Sequence, residues 1–379
     1  MLIQIHILQN YAPANLNRDD TGSPKDAIFG GIRRGRISSQ CLKRSIRRSE
    51  IFEKAFASKG MLGVRTRSLP SLVEKALQEL TGNEKAISDV VRRVREIGRE
   101  SKKDKESDEE DTSKTDADVE TKQLIFISPS EVKPLAEKLL ETYLAMGENT
   151  WNNPKTKIGD ITDKLESIAP RSVDIAMFGR MTTSSAFEDV QAAVQVAHAI
   201  STNALFEEFD YFTAVDDLSG ESGAGMIGDV EFNSSTYYKY LNVCWEDLTN
   251  NLGGDVNIAS RAVQALVEAA VYAQPSGKQN SFAAFNLPDL VLVEVSQRNI
   301  PVSYANAFLK PAKPSHDHTI MQVSIDNLSD YLQKTYQKYA LPAQRAFVSL
   351  DEQMIPDSQS LNNLDELIHW LAQQLQVAV

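Results

Sequence analysis

The segment over residues 25–48 constrains the fold of this chain most, because it joins glycine turns to a strongly basic amphipathic helix. It reads KDAIFGGIRRGRISSQCLKRSIRR. Glycines at positions 30, 31 and 35 allow tight turns and a close approach of the backbone to a ligand. Ser38 or Ser39 is a suitable N-cap, so the pattern predicts a helix that begins near Gln40.

The charge of this segment is opposite in sign to that of the whole chain. Leu42 and Ile46 mark the buried side of the predicted helix, and basic residues fill the neighbouring stripes. The segment has eight basic residues and one acid, a net charge of +7, whereas the chain has 40 Lys and Arg against 52 Asp and Glu, a net charge of −12. The eight basic residues are Lys25, Arg33, Arg34, Arg36, Lys43, Arg44, Arg47 and Arg48.

A polyanion site is the favoured interpretation of this pattern. A loop that leads into a helix N-terminus offers free N–H groups and the positive end of the helix dipole, and flanking cations add to both. A solvated basic face without a ligand is the alternative, and it explains less well why glycine turns, paired serines and one-sided charge occur together. Because the rest of the chain is acidic, binding of nucleic acid is expected only at this site.

Length and cysteine content narrow the class of protein. A chain of 379 residues has room for two or three domains. Its two cysteines, Cys41 and Cys244, provide neither a disulfide framework nor a zinc pattern. The N-terminal MLIQIHILQNY lacks the basic start of a signal peptide, and no apolar stretch approaches the roughly 20 residues of a membrane helix. We therefore expect a cytoplasmic protein without a membrane partner.

The first residues of the chain predict a strand and a long helix. Alternation over Leu2–Leu8 is typical of a half-buried strand, with Gln4 and His6 on its polar side. The basic helix is expected to continue past residue 48 through further apolar positions and to end at Gly60.

Residues 61–180 are predicted to be mostly helical. One helix is expected over about 129–146, with Ser128 or Ser130 as its cap. Within this block, residues 101–120 contain nine acids and four lysines. Burial of such a segment cannot offset the entropy lost on ordering, so we expect a disordered acidic insertion.

Strands and helices alternate after residue 172. Two strand-like runs are joined by the glycine-rich SGESGAGMIGD, which predicts a protruding β-hairpin. The predicted elements are a strand over 173–178 that ends in a glycine turn, a helix over 186–200, hairpin strands over 208–218 and 231–245, a helix over 258–272, a strand over 290–296, and helices over 329–339 and 361–377. This order predicts a ferredoxin-like α+β core, an architecture that RNA-recognition modules use.

Several segments resemble the CasC family of the RAMP superfamily, the repeated backbone subunit of the type I-E CRISPR surveillance complex Cascade. They occur in order from the N-terminus to about residue 310, and the block over 16–44 is long and specific. The matching stretches are LNRDD (16–20), KDAIFGG.RR.RISSQ.LKR (25–44), VDIAMFGRM (173–181), AHAI (197–200), YFTAVDDL (211–218), NNLGG (250–254), KQNSFAAFN (278–286) and P.S.ANAF (301–308).

The resemblance implies an RRM-like or ferredoxin-like palm, an inserted helical finger domain and a β-hairpin thumb. The palm would comprise residues 1–60, 181–200 and 236–379, the finger domain 61–180, and the thumb 201–235. In that family the subunit is a non-catalytic scaffold whose copies line up head to tail along the CRISPR guide RNA (crRNA). The palm holds the RNA backbone, and the thumb displaces a base at regular intervals. The remaining bases are open for pairing with single-stranded target DNA.

The resemblance implies further partners and no cofactor. The partners are the large, small, cap and crRNA-processing subunits of Cascade, and a target nuclease that is either recruited or fused. Sequence recognition would be delegated to base pairing.

The matched positions assign RNA-binding roles to the basic segment and its neighbours. Phosphate would be bound by Arg18, Lys25, Arg34, Lys43, Arg44, Arg47 and Arg48. Ser38 and Gln40 would bind ribose or phosphate at the helix start. Lys278 and Gln279 are weaker polar candidates.

Apolar wedges are expected at two further places. Arg180 and Met181 offer a charge and an apolar wedge at a glycine turn, and core packing of Met181 is an equal alternative. Phe209 and Tyr211 share one face of the thumb strand, where they would stack on a base. The alternative for this aromatic pair is a hydrophobic core within the hairpin.

A metal-dependent endoribonuclease that uses Asp19 or Asp217 is the alternative function. Such an enzyme needs carboxylates that converge on divalent ions. Charge pairing with nearby arginines explains Asp19 more simply, and aspartate is common in turns such as the one expected at Asp217. His316 and His318 lie in a proline-flanked loop, which is a weak metal signal. We therefore expect neither a metal site nor catalysis.

Overall fold

The chain divides into two compact units, which are described separately. The computed structural model describes residues 1–98, 120–121, 123–165, 172–182, 184–215, 224–352 and 354–376. The first unit, called the sheet unit, comprises Met1–Phe52, Val194–Glu246 and Ser260–Val379. The second, called the helical unit, comprises Glu53–Ala193 and Asp247–Ala259. The predicted assignment of segments to palm, finger and thumb stays a prediction.

Strands and helices are numbered in chain order. The strands are β1 (Leu2–Ala14), β2 (Asp26–Phe29), β3 (Ile32–Ile37), β4 (Val64–Thr66), β5 (Ile125–Ile127), β6 (Val194–Val196), β7 (Ala199–Ser201), β8 (Glu208–Val215), β9 (Ala224–Cys244), β10 (Leu290–Ser296), β11 (Gln344–Ser349) and β12 (Gln359–Ser360). The helices are α1 (Ser39–Arg47), α2 (Glu50–Phe56), α3 (Leu69–Leu80), α4 (Glu84–Val94), α5 (Pro129–Met146), α6 (Glu148–Trp151), α7 (Ile158–Thr162), α8 (Val173–Phe178), α9 (Trp245–Asn251), α10 (Val256–Tyr272), α11 (Gln279–Phe282), α12 (Ile320–Tyr339) and α13 (Leu364–Gln376).

A ten-stranded sheet forms the centre of the sheet unit. Its main path is β12-β11-β10-β1-β9-β7-β3-β2, and β6 and β8 pair with β9 beside this path. The pairs are antiparallel except β11 with β12. The first part of β9 pairs with β8 as a hairpin, and the rest pairs with β1, β6 and β7. The predicted α+β class is confirmed at this level.

Strand β1 is buried on both faces, which corrects the predicted half-buried strand. Its polar face is buried because partners satisfy the polar atoms. His6 Nδ1 lies 2.8 Å from the Tyr238 hydroxyl, and His6 Nε2 lies 3.0 Å from the Glu294 carboxylate. Gln4 accepts a hydrogen bond of 2.7 Å from the Tyr240 hydroxyl. Helix α12 packs on this face.

The helical unit has its own core. Helices α3, α4 and α5 pack around apolar side chains, and the indole of Trp151 donates to the carbonyl of Asp89 at 3.1 Å. The predicted helix over 129–146 is confirmed, and Ser128 and Glu131 form its capping box. The predicted acidic insertion lies outside the described residues except for Glu120. In the described part of the chain, no helix is both long and apolar enough to cross a membrane.

Two sequence predictions after residue 172 are wrong. Residues 173–178 form helix α8, and not a strand: the Ala176 N–H donates to the Ser172 carbonyl at 3.0 Å and the Gly179 N–H donates to the Ile175 carbonyl at 2.8 Å, the backbone pattern of an α-helix. The predicted helix over 186–200 is absent: residues 186–193 form turns and loop, and β6 and β7 follow them. Hydrogen bonds to β9 stabilise the strands β6 and β7, although the spacing of their apolar side chains is helical.

The other predicted elements are present. The strand over 290–296 and the helices over 258–272, 329–339 and 361–377 correspond to β10, α10, α12 and α13. The basic helix ends earlier than predicted, at Arg47, and α2 begins after a break at residues 48–49. Gly60, at φ 64°, ends the helical segment as expected.

Candidate nucleic-acid interface

Helix α1 begins where the sequence predicts. Ser38 is the N-cap, and its hydroxyl accepts the Cys41 N–H at 3.3 Å. Leu42 and Ile46 face the core, and Arg44 and Arg47 lie in the last turn. The Ser38 hydroxyl is buried in this cap, so its predicted role in binding ribose or phosphate is replaced by a structural one.

The loop over residues 16–20 lies beside the start of α1. Asn17 makes this connection: its carbonyl accepts the Lys25 N–H, and its side-chain oxygen accepts the Ser38 N–H, both at 2.8 Å. A backbone bridge between Arg18 and Pro24 closes the loop. Three separate sequence blocks are therefore brought to one place, with Arg18 and Lys25 next to the helix start.

The basic face is the surface formed by this loop and α1. Its residues are Arg18, Lys25, Gln40, Lys43, Arg44, Arg47 and Arg48. Arg18, Gln40, Arg44 and Arg48 are exposed, and the other three are half-buried. Burial lowers the pKa of Lys43.

Five of the six cations of the basic face have no carboxylate nearby in the described part of the chain. Among the residues that the structure describes, no carboxylate lies within 4.0 Å of Arg18, Lys25, Lys43, Arg44 or Arg48. A group of cations without nearby acids repel one another, and an anion relieves that repulsion. The arrangement can therefore bind a strand of phosphates.

Arg34 is not part of this face, which corrects its predicted role in phosphate binding. Its side chain is fully buried. One terminal nitrogen donates to the carbonyls of Ser201 and Thr202 at 2.9 Å each, and the other donates to the carbonyl of Phe308 at 2.6 Å. Burial lowers the pKa of this guanidinium. Arg34 therefore ties β3 to β7 and to the short helix at Ala305–Phe308.

Arg180, in the helical unit, is also structural. Its guanidinium is buried, lies 2.8 Å from the Glu131 carboxylate and donates to the Glu188 carbonyl at 2.7 Å. The predicted contact of Arg180 with RNA is corrected accordingly. Gly179 is required before it, since φ is 79° and an added Cβ would lie 2.9 Å from the Val190 carbonyl oxygen.

Met181 follows this anchored turn and is 93 % exposed. The alternative of core packing for Met181 is therefore wrong. An exposed methionine next to a fixed backbone provides a flexible apolar surface for a ligand.

Phe209 and Tyr211 lie on the hairpin of β8 and β9, and each is 65 % exposed. Alternation places both on one face, opposite Glu231 and Asp229 respectively. The alternative of a hydrophobic core for this pair is therefore wrong. Phe212, on the other face, instead packs over the backbone of Gly228, where an added Cβ would lie 2.6 Å from its ring.

Lys278 and Gln279 differ in their surroundings. Lys278 is half-buried and adopts a left-handed backbone at φ 49° before α11. Gln279 is buried, and its amide donates to the carbonyls of Pro275 and Ala284 at 3.1 and 3.3 Å. The predicted RNA contact of Gln279 is therefore corrected to a structural role.

His198 is a candidate that sequence reasoning missed. Its Nδ1 lies 3.3 Å from the Ser39 N–H and 3.3 Å from a terminal nitrogen of Arg36. Burial, and then the charges of Arg36 and Lys25, lower its pKa. The neutral ring accepts at Nδ1 and presents an N–H at Nε2 beside the basic face. The AHAI match at 197–200 was the signal that marked this position.

Asp19, a residue of the alternative nuclease function, builds a turn. Its carboxylate accepts hydrogen bonds from the Thr21 hydroxyl at 2.8 Å, the Thr21 N–H at 2.9 Å and the Ser23 N–H at 3.0 Å. These bonds, led by the one from the Thr21 hydroxyl, lower its pKa. Asp217 lies outside the described residues. Within the described ranges, no group of three or more His, Cys, Asp or Glu side chains is arranged to hold a metal ion.

Comparison with known proteins identifies the family. The chain matches the CT1975-like protein family (Cas_CT1975) over residues 3–372. It belongs to that family. A solved chain described as "CRISPR RNA-guided surveillance complex, pre-nicking" matches with a TM-score of 0.81 and 29 % identity, covering 99 % of this chain and 100 % of that chain.

A second solved chain supports the fold. It is described as "CRISPR RNA-guided surveillance complex" and matches with a TM-score of 0.62 and 23 % identity over 100 % of both chains. The resemblance to the CasC family is confirmed by the family match and these structural matches together. No curated protein matches the chain.

Proposed function

We propose that this chain is the crRNA-binding backbone subunit of a Cascade-type CRISPR surveillance complex. The basic face carries the proposal, because Arg18, Lys25, Lys43, Arg44 and Arg48 have no carboxylate within 4.0 Å in the described part of the chain. Arg18 and Lys25 lie beside the start of α1, and Arg44 and Arg48 lie at its other end. Contacts of this kind bind the phosphates of a single strand without reading its sequence. The bases are then left for pairing with single-stranded target DNA.

Three regions of the chain take the roles of palm, finger domain and thumb in this proposal. The sheet unit acts as an RRM-like palm, the helical unit as the finger domain, and the hairpin of β8 and β9 as the thumb. The exposed Phe209 and Tyr211 support contact of the thumb with bases, and the exposed Met181 supports a second apolar contact from the finger domain. Met181 belongs to the helical unit and Phe209 to the sheet unit, so the two contacts are separate proposals.

Copies of the chain assemble head to tail along the RNA. A heterologous interface of this type builds an open helix and not a closed dimer. Large, small, cap and crRNA-processing subunits complete the type I-E complex, and a recruited or fused nuclease cuts the target. The complex acts in the cytoplasm, where its nucleic-acid targets are.

The subunit itself is proposed to be non-catalytic. The hydrogen bonds that Asp19 accepts from Thr21 and Ser23 support this, because they commit the carboxylate to a turn. Incubation with guide or target RNA and Mg²⁺ or Mn²⁺ is expected to yield no cleavage. Cleavage that is lost in Asp19→Ala would instead establish the endoribonuclease.

Charge reversal on α1 tests RNA binding. The double variant Arg44→Glu and Arg48→Glu is expected to lose crRNA during purification after co-expression with a CRISPR transcript, because both exposed cations become repulsive to phosphate. The matched control is Lys334→Glu with Lys338→Glu, which makes the same charge change at the same spacing on α12.

Absorbance at 260 nm and the length of extracted RNA measure retention in both variants. Retention in the control and loss in the α1 variant support the proposal. Equal retention in both, with unchanged circular dichroism, would contradict it.

A further inference from the structure

An open cavity lies at the base of the hairpin in the sheet unit. Its volume is about 410 Å³, and five of the nine residues that line it have charged or aromatic side chains. They are the cations Arg18 and Lys278, the carboxylates Asp229 and Glu231, and the aromatic ring of Phe209. This hairpin-base cavity therefore combines donors, acceptors and an apolar surface within a space that is large enough for a nucleoside.

Hydrogen bonds hold two walls of the cavity in place. Asn15 is buried, and its amide nitrogen donates to the Gly22 carbonyl at 3.0 Å and to the Glu231 carbonyl at 2.9 Å. These bonds connect the loop over 16–25 to strand β9. The Asp19 carboxylate braces the same loop from within. The cavity is therefore a built feature and not a gap between mobile loops.

The charged side chains of this cavity form no direct ion pairs in the described part of the chain. No ion pair within 4.0 Å joins Arg18, Lys278, Asp229 or Glu231 to any described residue. Pairing across the hairpin places Glu231 opposite Phe209 and Asp229 opposite Tyr211, so carboxylates and rings share one face. A ligand that suits this cavity carries both anionic groups and hydrogen-bond donors.

The carboxylates are the feature that the phosphate-binding function leaves unexplained. An ionised carboxylate only accepts hydrogen bonds, and it repels phosphate. Its partners on a nucleic-acid strand are the N–H groups of bases and hydroxyl donors, and in the proposed function most bases are left for pairing, so a hydroxyl is the donor that remains. Every ribonucleotide carries one in its 2′-hydroxyl, and deoxyribonucleotides lack it.

We propose that Asp229 and Glu231 accept hydrogen bonds from ribose 2′-hydroxyls of a strand held by Arg18 and Lys278. Phe209 contacts a base of the same strand. The pair thereby selects RNA over DNA as the strand that the subunit holds. This inference rests on the proposed function, because it assigns a selectivity to the same RNA-binding surface.

The experiment compares two strands of identical sequence, one of RNA and one of 2′-fluoro RNA. Fluorine keeps a ribose-like sugar pucker and cannot donate a hydrogen bond. Fluorescence anisotropy with the full chain at fixed salt measures both affinities. The test variant is Asp229→Ala with Glu231→Ala, and the matched control is Glu208→Ala with Asp210→Ala. The control also removes two negative charges from the hairpin of β8 and β9. Its residues pair with Phe232 and Val230 and lie on the opposite face of the hairpin.

The ratio of the two affinities is the decisive readout. The wild type and the control are expected to prefer RNA by about tenfold, the size of one charge-assisted hydrogen bond. The test variant is expected to bind both strands equally. Removal of two negative charges raises affinity for either strand, and the ratio cancels that effect.

Three outcomes would overturn the inference in distinguishable ways. A ratio in the test variant equal to that of the control would show that the carboxylates do not contact ribose. If the affinity ratio of the test variant is unchanged and its arrays along RNA are shorter in electron micrographs, the cavity binds a basic side chain of a neighbouring copy and not ribose. Failure of the wild type to bind either strand would refute the proposed function itself.

Discussion

The basic face and a buried polar cluster in the sheet unit differ in how their charged side chains are partnered. The buried polar cluster consists of His6, Glu294, Tyr304 and Arg345. Its Glu294 carboxylate bonds with Arg345 Nε and accepts a hydrogen bond of 2.9 Å from the Tyr304 hydroxyl. Both side chains of this ion pair, Glu294 and Arg345, are buried. The charges of the cluster have internal partners, whereas Arg18, Lys25, Lys43, Arg44 and Arg48 of the basic face have no carboxylate within 4.0 Å in the described part of the chain.

The comparison also distinguishes two arginines that have different surroundings. Arg34 and Arg44 are ten positions apart in the same basic segment, and charge alone does not distinguish them. Arg34 is buried among carbonyls, and Arg44 is exposed with no carboxylate within 4.0 Å in the described part of the chain. Substitution to methionine preserves most of the side-chain volume, so it removes charge without opening a large cavity. This makes the two regions directly comparable.

The largest effect is expected for Arg345→Met. The variant leaves the buried Glu294 charge without one of its partners, and loss of one partner of a buried pair costs about 3–5 kcal/mol. Urea denaturation followed by circular dichroism measures the change. Arg44→Met is the control, and its unfolding midpoint is expected to equal that of the wild type. Equal midpoints for both variants would remove the distinction between the two regions.

Acid is expected to weaken the buried polar cluster and not the basic face. Burial alone would raise the pKa of Glu294, but the hydrogen bond and charge of His6 and the charge of Arg345 lower it to about 2. Because the folded pKa is below the unfolded value of 4.5, the stabilisation is complete above pH 4.5 and is lost as the pH falls towards 2.

The shift corresponds to at most about 3 kcal/mol in the free energy of unfolding. Urea midpoints between pH 5 and pH 3 measure the dependence. Glu294→Gln is expected to flatten it, and an equally steep dependence in that variant would assign the acid sensitivity to other carboxylates.

An intermediate effect is expected for Arg34→Met. The substitution leaves the carbonyls of Ser201, Thr202 and Phe308 without their donor, at a cost of about 1–3 kcal/mol. RNA affinity per folded molecule is expected to be unchanged. A urea midpoint equal to that of the wild type together with weaker RNA binding would show that Arg34 binds RNA and does not stabilise the fold.

The smallest effect on stability is expected for the double variant Arg44→Met and Arg48→Met. Both side chains are exposed, so the urea midpoint is expected to equal that of the wild type. The slope of log affinity against log salt concentration is expected to decrease in magnitude by about 1.4, or about 0.7 for each lost phosphate contact on a single strand. A lower midpoint with an unchanged slope would identify these arginines as structural.

Local patterns predicted the elements that depend on neighbours in sequence. The cap at Ser38, the apolar pair of Leu42 and Ile46, and the strand over 290–296 follow from spacing and residue type alone. The cap and the apolar pair depend on local hydrogen bonds and local spacing, and the strand is marked by its local apolar run although its hydrogen bonds go to β1 and β11. The concentration of positive charge is likewise a property of composition along the chain.

Predictions that failed concern residues whose surroundings come from distant parts of the chain. Residues 194–201 have helical periodicity, and β9 captures them as strands. Gln4 and His6 have the polarity of a solvent-facing strand edge, but Tyr238, Tyr240 and Glu294 satisfy them in the core. Gln279 is an exception, because the carbonyls that accept its hydrogen bonds, those of Pro275 and Ala284, lie close to it in sequence.

The sequence by itself determined that this chain has a cationic helix with a capped start, an α+β composition and a hairpin with a glycine-rich connection. Only the tertiary structure decided which cations of β3 face outward, because Arg33, Arg34 and Arg36 look alike until strand pairing assigns each a side. Packing placed Asp229 and Glu231 beside Arg18 and Lys278, a combination spread over some 260 positions. Long-range pairing selects such neighbours, and no local pattern contains them.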